Sequence, residues 1–153
     1  MSNPFDLRAA LLAKHAQHVV LIHFPIALFL FGTGLDLAAR FSKQRMNRAA
    51  MVAAARINIF AAAIFAVPVI VTGILAWQLQ FAGEKLKGVL LLHLVFGCSA
   101  GALICIAAVV RRRQSQHEEA VSVSCLGLEL VTTIVIALTA HMGGFLIGVN
   151  GTG

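Results

Sequence analysis

Four histidines are the residues of this chain best placed to do chemistry. His18, His23, His93 and His141 each fall at or just inside one end of a long apolar stretch. Ionisable side chains at membrane depth are costly, usually face the bundle interior and mark functional sites by default. Imidazole suits zinc, copper and iron. No carboxylate or thiol shares the histidines' level. Asp36 and Glu129 lie toward the opposite ends of their stretches, Cys98 near the middle, and Cys105 and Cys125 deeper still. Such a set does not suit a hard cation. It suits haem b, whose iron takes two neutral imidazoles while apolar side chains bury the macrocycle. Copper or zinc held by the same histidines without porphyrin is the alternative.

Composition decides which elements must position these rings. The 153 residues are 59% hydrophobic and only 12% charged, with a mean hydropathy of +0.90. A soluble domain carries about 25% charged residues, and disorder goes with low hydrophobicity; both classes are excluded. Four stretches, at about 19–39, 57–79, 89–110 and 120–145, are long enough to cross a bilayer, which takes about 20 residues. Short connections make consecutive spans antiparallel neighbours. The expectation is one all-α membrane domain over 1–153, an up-down-up-down four-helix bundle. Ahead of it, Asn3-Pro4-Phe5-Asp6 reads as a helix start, and 3–17 as a short interfacial helix.

Charge asymmetry gives the direction. Arg40, Lys43, Arg45, Arg48 and Arg56 separate spans one and two, and Arg111, Arg112 and Arg113 separate spans three and four. The other side holds Arg8, Lys14, Lys85 and Lys87. The basic loops are therefore expected in the cytoplasm of a bacterial inner membrane, with both termini periplasmic. The net charge of +6 is explained by this topology and not by nucleic acid, since neither basic cluster is large enough to follow a phosphate backbone. The three cysteines have no redox or zinc-site spacing.

Antiparallel folding brings His23, His93 and His141 to one depth in the outer leaflet, with His18 just above. Neighbouring helices lie about 8–10 Å apart, so diagonal helices are about 14 Å apart. Two imidazole arms with an iron between them suit the diagonal, which nominates His23 and His93 as axial ligands. His141 is then placed at the rim near a propionate, with His141 or His18 as alternative ligands. Gly97 and Gly101 below His93, and Gly143 and Gly144 beside His141, leave room for a flat cofactor. Taken alone, Gly97-x-x-x-Gly101 is better explained by two helices in contact. No span has a second histidine toward the cytoplasm, so the protein alone does not carry electrons across the membrane. Asp36, Arg56 and Asn58 read as a structural ion pair near the cytoplasmic ends of spans one and two. Glu129 has no obvious partner.

His18-Val19-Val20-Leu21-Ile22-His23-Phe24-Pro25-Ile26-Ala27-Leu28, then Asp36, resembles the opening H-x-x-x-V-H-F-P-I-A-L…D of a bacterial four-span family, domain of unknown function 2231. Thr72-Gly73 with Trp77, and His141-Met142-Gly143-Gly144 with Gly151, resemble its T-G-x-x-D-W and H-x-G-G…G motifs. Val19 stands where the family often has proline, and Ala76 where it has aspartate. The resemblance implies an inner-membrane protein with outward-facing histidines. Some members are joined to cytochrome c domains, which favours redox work.

Together these residues point to an electron carrier and away from a stand-alone enzyme. It would link a membrane donor such as quinol to a periplasmic cytochrome c or other redox subunit, in contact with the lipid bilayer and compatible with a homo-oligomer. A non-catalytic membrane anchor or assembly subunit is the rival of another class. The topology has its own test. Reporters fused after Lys43 and after Arg113 should score cytoplasmic, and one after Gly153 external; a cytoplasmic C-terminus would invert the assignment.

Overall fold

The computed structural model describes residues 16–80, 85–114 and 121–146. They form four helices: α1 (Ala16–Phe41), α2 (Arg45–Gln80), α3 (Gly88–Arg113) and α4 (Val123–Leu146). All four are long and apolar enough to cross a membrane. The interfacial helix expected over 3–17 lies outside the described residues, except that 16 and 17 already belong to α1. Pro25 and Pro68 stand inside continuous helices. Ser122 opens α4 by accepting the Cys125 N–H on its hydroxyl at 3.3 Å, a side-chain N-cap. Gly88 opens α3 with a φ of 58°, a backbone region that side chains other than glycine enter at a cost.

The helices pack in ring order. α1 lies chiefly on α2 and α3 on α4, with a smaller α2–α3 contact and a narrow α1–α4 seam. The pairs α1–α3 and α2–α4 are therefore diagonal. The outward faces are apolar: Phe31 is 61% exposed, Ile57 70% and Ile64 62%. Apolar surface of this extent is lipid-facing surface. The chain is a multi-pass membrane protein.

Inside the bundle, side chains stack in layers. At the basic end, Arg111 of α3 is 2% exposed and Asp36 of α1 and Glu129 of α4 are 1% and 0% exposed. Arg111 Nη2 donates to Asp36 Oδ1 at 2.8 Å and lies 2.7 Å from Oδ2. It also reaches the Val52 carbonyl of α2 at 3.4 Å. Nε is 3.7 Å from Glu129 Oε1. One guanidinium thus touches the other three helices. The ion pair expected between Asp36 and Arg56 has a different partner, because Arg111 reaches inward. Arg56 is half-buried within electrostatic range of Asp36, and Asn58 donates to its own helix at the Ala54 carbonyl, 2.9 Å away.

Two turns from this layer comes an apolar one. Phe29 precedes Asp36 by seven residues and Ile104 precedes Arg111 by seven; Ile136 follows Glu129 by seven and Ile59 follows Val52 by seven. All four are at most 4% exposed and belong to one cluster with Ala62, Ala100, Ala107 and Ala108. Seven residues rise about 10 Å at 1.5 Å each. Gly101 lets α3 approach α2 here, since a Cβ on it would lie 2.7 Å from Ile70 Cδ1.

Removing the guanidinium should cost more than any other single change at the basic end. Arg111→Met leaves the buried carboxyl groups of Asp36 and Glu129 without their cation, and breaking such a buried pair costs about 3–5 kcal/mol. Exposed Arg112→Ala should stay within about 0.5 kcal/mol. Unfolding titrations in mixed detergent micelles check both. Equal stability of the two variants would show that the charged layer does not hold the helices.

Candidate functional site

The opposite end of the bundle carries the histidines, and the structure separates them by face. His18 of α1 lies against Thr72 and Gly73 of α2, and His93 of α3 against Thr139 and Gly143 of α4. Both are half-buried. His23 is exposed, with its Nδ1–H on the Val19 carbonyl of its own helix at 2.7 Å; it borders a shallow apolar hollow with Phe24, Ala27 and Leu28. His141 is exposed as well, and meets the edge of Phe145 at a 4.9 Å centroid distance and 81°. His23 and His93, the pair expected from depth, thus differ in burial, and His18 is the other half-buried histidine at this end.

Helix periodicity accounts for the difference. His18 and Asp36 are eighteen residues apart, and so are His93 and Arg111. Eighteen residues make five full turns, so each histidine shares a face with a residue that must be buried to satisfy its charge. His23 is thirteen residues from Asp36, which turns it roughly 140° away from that face at 100° per residue.

The hydrogen bonds around the two interior rings decide which nitrogen each presents. Thr72 Oγ1 of α2 donates its proton to the Pro68 carbonyl at 2.8 Å. With that proton so placed, the hydroxyl would accept from an Nδ1–H of His18, 3.3 Å away. His93 Nδ1 lies 3.1 Å from the Thr139 carbonyl of α4, an acceptor, and also carries its hydrogen. Both neutral rings therefore keep the lone pair on Nε2. This is how metal-ligating histidines are held, with the other nitrogen fixed by a hydrogen bond.

Two glycines complete the cradle. A Cβ at Gly73 would stand 3.0 Å from His18 Cε1, and one at Gly143 would stand 3.1 Å from His93 Cε1. Gly97 lies nearby, where a Cβ would make an ordinary 3.7 Å contact with Thr139 Cγ2. Gly101 serves the helix contact with Ile70 instead, and Gly144 is half-buried. Among the described residues no group of three or more His, Cys, Asp or Glu side chains could hold a metal ion. The site offers two imidazoles and no third ligand of those types there. His15, His117 and Gly151 lie outside the described residues.

The family model described as "Predicted membrane protein (DUF2231)" matches residues 14–153, which include all four helices. The chain belongs to this family. No curated protein and no solved structure matches it. Sequence reasoning about this DUF2231 protein missed Thr72, Thr139 and Gly73 as parts of the site, and Arg111 as a buried charge. Thr72 and Gly73 stood only in the family motif. Arg111 was hidden in a run of three arginines that topology already explained.

Filling the cradle gives a local test. Gly73→Ala and Gly143→Ala each overpack a ring, which costs about 1–3 kcal/mol, and each gains about 1 kcal/mol of helix propensity. Net stability should therefore change little while the ring moves. In protein carrying labelled histidine, Gly73→Ala should shift the His18 Cε1–H resonance and Gly143→Ala that of His93. The His23 resonance should stay put in both; equal shifts at His23 would contradict the assigned faces.

Proposed function

We propose that this DUF2231 protein is a membrane haem b protein that carries electrons at the histidine end of the bundle, with His18 and His93 as axial ligands. The observation that carries this reading is the pair of half-buried imidazoles on diagonal helices at one end of the bundle, each with Nδ1 at a hydrogen-bond partner on a neighbouring helix. Two imidazoles fill both axial positions of a haem iron, and they fall short of the four ligands of a structural zinc site. Bound there, haem would supply reversible one-electron transfer.

The chain's own residues have distinct tasks in this reading. Thr72 and Thr139 fix the tautomers and ring orientations. Gly73 and Gly143 let the two rings seat close against α2 and α4, where a side chain would push them away. The apolar layer of Phe29, Ile59, Ile104 and Ile136 closes the site from the basic end. With the basic loops in the cytoplasm, the site would lie at the periplasmic side of a bacterial inner membrane. A quinol in the bilayer would be the donor, and a periplasmic cytochrome c or similar redox subunit the acceptor.

An optical spectrum of protein purified in mild detergent from haem-replete cells is the test. A Soret band that sharpens and shifts on reduction, with the α-band of low-spin haem b, is expected. His18→Ala and His93→Ala should lose the low-spin form, and His23→Ala should keep it. Loss on His23→Ala with retention on His18→Ala would restore the pairing expected from depth. Colourless protein with stoichiometric copper would replace haem by a bare metal; colourless, metal-free protein would favour an anchor or assembly subunit.

A further inference from the structure

The charged layer at the basic end is independent of the histidine site and contains one acid too many. Its three fully buried members are two carboxyls and one guanidinium. Asp36 holds the cation closely, through Oδ1 at 2.8 Å and Oδ2 at 2.7 Å from Arg111 Nη2. Glu129 does not. Its Oε1 is 3.7 Å from Arg111 Nε and 3.6 Å from the Cys125 thiol, and its Oε2 is buried with no hydrogen-bond partner. Asp36 Oδ2 also lacks an aligned donor. Yet the two carboxyls reach the same guanidinium from α1 and α4, side by side in one buried layer.

Two carboxylates in that position can only accept, so Glu129 Oε2 stays unsatisfied and the charges repel. One proton resolves both faults, turning the contact into an O–H···O bond and leaving one anion against one buried cation. We propose that Asp36, Glu129 and Arg111 form a proton-binding site that holds a single exchangeable proton on Glu129, donated toward Asp36.

The surrounding groups agree on which acid carries it. Asp36 of α1 has the close guanidinium contact of Arg111, and half-buried Arg56 of α2 adds a second positive charge on its side, both of which favour its charged form. Cys125, one turn before Glu129 on α4, offers a thiol and no positive charge. Thr132 spends its hydroxyl proton on the Leu128 carbonyl at 2.7 Å, so it gives Glu129 no donor. Thr33 Oγ1, one turn from Asp36, is buried without a partner. Toward the histidines, the layer of Phe29, Ile59, Ile104 and Ile136 has no polar atom to relay a proton. Toward the basic end, Gln114 accepts from Arg111 Nη1 at 3.4 Å and donates to Ser122 Oγ at 2.8 Å, a polar route to the helix ends. The polar contacts of the layer thus continue toward the basic end, the side from which proton exchange is expected.

Infrared spectroscopy of the full chain in lipid bilayers at neutral pH reads the proton directly. The sequence has six acidic residues, and the other four, Asp6, Glu84, Glu118 and Glu119, fall outside the four apolar stretches. Ordinary carboxyls are ionised at that pH, so the wild-type protein should show one protonated-carboxyl C=O band, which shifts in deuterium oxide. Glu129→Gln should abolish it. Asp36→Asn should abolish it too, because Glu129 then becomes the sole counter-ion of Arg111 and gives up its proton. A wild-type spectrum with carboxylate bands only, a band that survives either substitution, or a band unmoved by deuterium oxide would overturn the proposal. None of these readings depends on haem.

Discussion

A guanidinium buried inside a helix bundle has to be met on every side, and Arg111 is met by all three other helices. Its contacts with Asp36, Glu129 and the Val52 carbonyl fix the rotational setting of α1, α4 and α2 against α3. Between apolar helices in lipid there is no hydrophobic drive to choose one face over another. Apolar packing here uses alanines and a few large residues, and would tolerate other rotations. The charged layer would not, since a turn of one helix strands a charge at a cost of several kcal/mol. Everything farther along the helices inherits its phase from this one contact.

That inheritance is what builds the histidine site. Five turns from Asp36 stands His18, and five turns from Arg111 stands His93; a contact that fixes one end of each helix aims a ring at the other. The same phase turns His23 outward, where it satisfies its Nδ1–H on Val19. Thr72 and Thr139 then act on rings already aimed inward. Each threonine hydroxyl bonds its own helix, Thr72 to Pro68 and Thr139 to Val135 at 2.8 Å. His18 thus meets the acceptor side of the Thr72 hydroxyl, and His93 meets the main-chain carbonyl of Thr139, also an acceptor.

The four helices were legible because a bilayer span needs a long apolar run, and nothing else in such a sequence produces one. The level of the histidines was legible for the same reason, since depth follows from counting residues along antiparallel spans. Which histidine faces inward was not, because depth carries no rotation. The rotational signal was present in the eighteen-residue spacings, but it becomes informative only once Arg111 is known to be buried. Arg111 opens a run of three arginines that looks like a cytoplasmic loop. Its burial depends on Asp36 and Glu129 reaching it from two other helices, a tertiary fact that no local pattern encodes. Glu129 lacked an obvious partner for that reason.

The two polar layers are distant enough to act separately. Eighteen residues span roughly 27 Å, nearly the thickness of the hydrocarbon core, about 30 Å. Across that distance two unit charges interact by roughly 0.6 kcal/mol at an effective dielectric of 20. Adding a proton at Glu129 thus changes the energy of a charge between His18 and His93 by about RT, too little to drive one event with the other. The apolar layer also denies them a shared chain of hydrogen bonds. Any tighter coupling would have to be mechanical. Rotation of α1 or α3 about its axis would move both of that helix's inward groups together, because Asp36 and His18 share one face and Arg111 and His93 share another. The structure makes that rotation costly, since Arg111 would lose its partners before either ring left the interior. What the charged layer transmits to the histidines is a fixed orientation.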